Sequence, residues 1–167
     1  CGLDPDPARI PEDIKRRCSS LPAQVTTFLR EVIDIVGLHV CAFKLNKAFF
    51  DCLPNGSAQA RDLIRYIHRL HPELPVFVDA KIGDVSHTMT VHLQYFFDHL
   101  RADGLVVNPY MGDDVLAPFT AWPERAALVL VKTSNLGSTS VQDILANDGR
   151  PLWRHVLNLV VTRWNTA

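Results

Sequence analysis

The sequence predicts an α/β chain of repeated strand–helix units around a parallel sheet. Three observations carry that prediction. Five short apolar runs recur along the 167 residues. Helical periodicity fills most of the gaps between them. Some of the runs, such as Val76-Phe77-Val78 and Leu128-Val129-Leu130-Val131, are continuously apolar rather than alternating, as strands covered on both faces are.

The elements follow in order. The first strand candidate is "CGLDPDP" (1–7). The stretch "SLPAQVTTFLREVIDIVG" places Val25, Phe28, Leu29, Val32, Ile33 and Val36 on one helical stripe, ended by Gly37. A strand is expected in "LHVCAFKLN" (38–46), then a helix in "SAQARDLIRYIHRLHP", with Ser57 as its N-cap and its end before Pro72. The third strand is "LPVFVDAKIGD" (74–84), and "SHTMTVHLQYFFDHLRADG" follows as a helix with Val91, Tyr95, Phe96 and Leu100 on its stripe. The fourth strand lies in "ADGLVVNPYMG" (102–112). Residues 112–124 start as a helix and are broken by Pro118 and Pro123. The fifth strand lies in "RAALVLVKTSNLGS" (125–138). "PLWRHVLNLVVTRW" (151–164) is a last helix, with Pro151 in its first turn.

Strands about 25 to 35 residues apart, alternating with helices, imply right-handed βα crossovers. A doubly wound nucleotide-binding sheet carries a Gly-rich turn after its first strand. Here the first strand runs into "LDPDP", without such a turn. Each strand instead ends in polar residues: Asp4, Lys44, Asp79 with Lys81, Asn108, and Thr133 with Ser134. A (β/α)8 barrel of the TIM type builds its site from such strand ends. The fold class is therefore α/β, an incomplete TIM barrel of about five βα units. Eight units need about 250 residues. The chain opens at Cys1 inside an apolar run and closes on a helix, so residues 1–167 are expected to be a single partial barrel domain, truncated at both ends.

Composition narrows the function. Hydrophobic content is 47% and charged content 21%, as in an ordinary globular domain. A net charge of −1 gives no bulk attraction to nucleic acid or to an anionic membrane. No apolar stretch approaches the roughly 18 residues of a membrane span. The four cysteines, Cys1, Cys18, Cys41 and Cys52, form no CxxC pair and read as reduced and structural, with Cys41 inside the second strand. That usage points to a cytoplasmic protein.

The charge at the end of the third strand is denser than a loop requires. Residues two apart on a strand share a face, so Asp79 and Lys81 are expected to point the same way. Lys44 ends the neighbouring strand, and Asp84 starts the loop beyond Gly83. A unit charge pair at 4 Å is worth about 4 kcal/mol at an effective dielectric near 20. Such a network holds Lys81 charged and aimed, able to act as a general acid. The same spacing fits a structural ion-pair network rimming the sheet equally well. The histidines show no ligand pattern. His68, His71, His87 and His92 read as surface residues, and Tyr95, Phe96 and Phe97 as core.

The stretch "DAKIGDVSHT" resembles the Asp-x-Lys-x-x-Asp signature of the orotidine 5'-phosphate decarboxylases. "GLDPDP", "CAFKLNKAFF", "VVNPYMGDD" and "KTSNLGS" are similar to the other strand-end motifs of the family's longer bacterial branch, in the family's order. The resemblance implies cofactor-free decarboxylation of orotidine 5'-monophosphate to UMP in pyrimidine biosynthesis, with no metal. It implies a charged tetrad of Lys44, Asp79, Lys81 and Asp84, in which Lys81 protonates the carbon that loses carbon dioxide. It also implies substrate contacts from Asp4, Thr88 and Ser134, and a homodimer in which Asp84 and Thr88 cross into the partner's site. The family often has Arg where Ile82 stands, and its phosphate-gripping Gly/Gln-rich loop and late Arg have no counterpart in these residues. Two alternatives stay open. One is the metal-dependent sugar-phosphate aldolase and decarboxylase group with the same signature; the other is a non-catalytic binding module.

Overall fold

The computed structural model describes residues 1–165. Among them, five strands form one parallel sheet: β1 (Gly2–Leu3), β2 (Phe43–Asn46), β3 (Val76–Ile82), β4 (Gly104–Val107) and β5 (Ala126–Val129). Their spatial order is β1-β2-β3-β4-β5, the same as their sequence order. A doubly wound sheet reverses direction at a switch point, whereas a barrel adds each strand beside the last. The order is that of a barrel wall. β1 and β5 each pair on one side only among the described residues.

The connections are helical: α1 (Glu12–Arg17) and α2 (Leu21–Val36) after β1, and α3 (Lys47–Asp51) and α4 (Gly56–Leu70) after β2. α5 (Ser86–Leu93) follows β3 and α6 (Asp113–Leu116) follows β4. α7 (Thr139–Gln142) and α8 (Leu152–Leu159) follow β5. Register places Leu45, Val78 and Leu105 side by side. With Phe43, Val76 and Val107 they meet Val25, Leu29, Ile33, Ile64 and Ile67 in one apolar core.

Several sequence expectations need correction. β2 and β3 are buried on their helix-facing side, but Lys44, Asn46 and Phe77 on the other face are half-buried; only β4 is covered on both faces along its length. β5 stops at Val129 and its apolar run is only partly covered, because it lies at the sheet edge. Cys41 lies ahead of β2 and is exposed; the thiols are nevertheless all free.

Asn55, not Ser57, precedes α4, in the left-handed conformation (φ 57°), and Ser57 lies inside the helix. Pro151 sits at the N-cap of α8 rather than in its first turn. Gly37 does not stop α2 by turning left-handed. Its backbone stays helical, and a Cβ there would lie 2.1 Å from His71 Nε2. His71 is therefore a packed residue rather than a surface one, with its side chain 11% exposed.

α5 presents a different stripe from the expected one. Met89 and Leu93 are buried and Val91 is 61% exposed, because α5 passes into a wide π-type turn over Gln94–His99. That turn buries Phe96 and Phe97 together and leaves Tyr95 half-buried, stacked on His99. His68 is 30% exposed, but it is not a free surface side chain. Its Nε2 lies 2.7 Å from Asp103, whose carboxylate also accepts from Val76 N–H and Arg125, both at 2.8 Å. Asp103 thereby ties α4, β3 and the approach to β5 together. Burial pushes its carboxyl up, but these partners outweigh burial and hold it below the ordinary carboxylate range.

Candidate functional site

The site grows from the C-terminal edge of β2 and β3. The two strands pair so that Asn46 lies opposite Asp79 and Lys44 opposite Phe77. Lys44 thus sits two residues before the strand end, and its long side chain reaches forward. Its Nζ donates to Asp79 Oδ2 at 2.6 Å. Lys81 Nζ donates to Asp79 Oδ1 at 2.7 Å. Asp79 is 9% exposed, while Lys44 and Lys81 are 36% and 53% exposed.

Burial pushes the Asp79 carboxyl up. The hydrogen bonds from Lys44 and Lys81, and then their charges, outweigh burial and hold it below the ordinary carboxylate range. The arrangement is a buried anion with each oxygen held by a cation, and one of those cations reaches toward solvent. Such a group can deliver a proton to a bound carbon while its counter-ion stays fixed.

Lys81 reaches this position by an irregular route. β3 and β4 lose register between Asp79 and Ile82: Asp79 is opposite Val106, and Ile82 is opposite the very next residue, Val107. Ala80 and Lys81 are the extra residues of the bulge. Lys81 has φ 48°, a left-handed conformation that few side chains adopt. A cleft of about 250 Å³ opens beside it, lined by Asn46, Lys47, Asp51, Asp79, Lys81 and Ile82 among others.

The remaining expected residues stand outside the lining of this cleft. Asp4 is exposed beyond β1, with its Oδ2 3.5 Å from Asn46 Nδ2. Asp84 does not join the lysines within the chain. Its Oδ1 accepts from Val85 N–H at 2.8 Å, and its Oδ2 is 3.9 Å from His92 Nε2. Thr88 is half-buried in α5 and Ser134 is exposed on the loop after β5. Asn108 shapes its own turn, its side chain accepting from Tyr110 N–H at 3.1 Å.

Three cleft residues were missed from sequence: Asn46, Lys47 and Asp51. Asn46 was within reach, since strand alternation puts it on the face of Lys44. Lys47 and Asp51 pair with each other on α3, whose sequence "KAFFD" carries no sign of the cleft it borders. A larger cleft of about 550 Å³ lies at the opposite end of the sheet, around Asp103 and Arg125. Its central groups are committed to the Asp103 ion-pair cluster, so it is a weaker candidate.

With the geometry in place, comparison with known proteins is decisive for the family. A model described as orotidine 5'-phosphate decarboxylase / HUMPS family matches residues 10–156. The chain is 40% identical over 166 residues to the orotidine 5'-phosphate decarboxylase of Cupriavidus taiwanensis, covering 99% of the chain and 59% of that relative. It is 37% identical over 164 residues to the enzyme of the same name from Bordetella pertussis, covering 98% and 58%. The solved structure of Leishmania donovani OMP decarboxylase superposes with a TM-score of 0.85 at 32% identity, over 99% of this chain and 60% of that one. The chain thus spans a little under three fifths of the length of these curated relatives.

Proposed function

The chain belongs to the orotidine 5'-phosphate decarboxylase / HUMPS family, and we propose that it carries the reacting half of an orotidine 5'-monophosphate decarboxylase. The observation that supports this best is Asp79, 9% exposed and bonded through separate oxygens to Lys44 and Lys81. In the proposed reaction the bond from the pyrimidine ring to its carboxylate breaks, and carbon dioxide leaves without the electron pair. The pair stays on the ring carbon, and the Lys81 ammonium gives that carbon its proton. Lys44 keeps Asp79 in place and leaves its other oxygen to Lys81. Electrostatic groups fixed before the charge develops need no reorganisation during the step.

Asp4 and Ser134 are assigned to the ribose and the pyrimidine. Asp84 and Thr88 are assigned to the partner's site in a homodimer, in keeping with Asp84 lying apart from Lys81 in its own chain. No cofactor or metal is required by this chemistry. The assigned compartment is the cytoplasm; among the described residues no helix is long and apolar enough to cross a membrane.

Orotidine 5'-monophosphate offered to the full-length protein is expected to be converted to UMP at the same rate with and without a metal chelator. Turnover abolished by the chelator contradicts metal-free decarboxylation. No turnover in either condition contradicts the decarboxylase reading.

A further inference from the structure

The left-handed conformation of Lys81 is costly for a residue with a side chain, so something around it must hold it there. The surroundings identify the holder. Immediately beyond the bulge, Ile82 C=O accepts from Asn108 N–H at 2.8 Å. One residue further, Gly83 packs directly on the same loop: a Cβ at Gly83 would lie 2.2 Å from the Asn108 carbonyl oxygen and 3.5 Å from Val115 Cγ2. No larger residue fits there without moving the backbone. Asn108 is fixed in turn by its side chain, which accepts from Tyr110 N–H at 3.1 Å and caps the turn Pro109–Met111. The end of β3 is thus clamped to the loop after β4 by one hydrogen bond and one close backbone contact. The chain between Asp79 in the sheet and this clamp has two residues too many for a regular strand.

We propose that Gly83 and Asn108 are positioning residues for Lys81: they clamp the β3 end so that residue 81 stays left-handed and its ammonium stays on Asp79. Neither touches the reacting atoms. The kinetic consequence rests on Lys81 being the proton donor; the conformational consequence does not.

Two measurements on the full-length protein test it. The first is free of activity. If residue 81 is held left-handed, Lys81→Gly melts above Lys81→Ala by roughly 2–4 °C, since glycine accepts that conformation without strain. In a Gly83→Ala background the clamp is displaced, and the same two substitutions melt together. Equal melting in the wild-type background, or an unchanged gap in the Gly83→Ala background, overturns the proposal whatever the enzyme does.

The second is kinetic. Gly83→Ala lowers kcat about 10²-fold with little change in KM for orotidine 5'-monophosphate, as expected for a misplaced reacting group. Asn108→Ala, the gentler change, lowers kcat about tenfold through loss of its cap and is restored by Asn108→Asp, which can accept the same bond. Should Gly83→Ala not fold, the Asn108 pair decides: wild-type kcat in Asn108→Ala, or no rescue by Asp, contradicts the clamp. An inactive wild-type protein would refute the decarboxylase reading alone, leaving the melting comparison to judge this one.

Discussion

Asp79 accepts from two lysines that reach it by different means, and the difference shows what a single residue position can and cannot reveal. Lys44 comes from the adjacent strand, as neighbouring strand ends in a barrel allow. Lys81 was expected on the face of Asp79 by simple alternation. It does bond Asp79, but through a bulge and a left-handed backbone that alternation does not contain. A left-handed residue with a Cβ costs roughly 1–2 kcal/mol, so this geometry is maintained against a local preference. Glycine at position 83 was the one sequence signal of it. Because Asp79 is the hub, Asp79→Ala should cost more than Lys44→Ala: the first releases Lys81 and leaves two cations facing each other, while the second leaves the Asp79–Lys81 pair. In kcat for orotidine 5'-monophosphate, about a 10²-fold loss or more is expected for Asp79→Ala. A larger loss for Lys44→Ala would show that the hub is misidentified.

Among the elements, α2 was legible because its stripe repeats over four turns: Val25, Leu29 and Ile33 are buried, and Phe28, Val32 and Val36 pack partly buried beside them. α5 was placed but its face was not. Two stripes two residues apart compete there, and the π-type turn that brings in Phe96 and Phe97 has no sequence signature. The cluster around Asp103 was invisible for another reason: His68, Asp103 and Arg125 are far apart in sequence and meet only when the strands start side by side. This cluster has a pH consequence. Asp103 binds its proton less readily folded than unfolded, so its contribution to stability is full above the ordinary carboxylate value of 3.8 and is lost as pH falls through the depressed folded value. Asp103→Asn should therefore be less stable than the wild type at neutral pH by denaturant titration, and the gap should close in strong acid. A gap that widens on acidification would reverse the assignment.

For the molecule as a whole, strand order is the informative quantity. Sequential order β1 to β5 follows from repeated βα units and places Asp4, Lys44, Asp79, Lys81 and Asn108 along one edge of the sheet. Sequence reasoning reached that arrangement because each strand carried its polar residue at the same end. It did not locate Asp84, which accepts from Val85 N–H and lies 3.9 Å from His92 rather than on the lysines. If Asp84 completes the partner's site, mixing Lys81→Ala with Asp84→Ala in full-length protein should restore activity. The mixed dimer then has one site carrying both defects and one carrying neither. Absence of recovery after demonstrated subunit exchange would show that the site is not shared. The proposed role of Lys81 in decarboxylation is tested by carbon dioxide released from carboxyl-labelled orotidine 5'-monophosphate. Full-length Lys81→Ala should fold and bind the substrate yet release label at least about 10²-fold more slowly than the wild type; release within a few-fold of wild type would rule that role out.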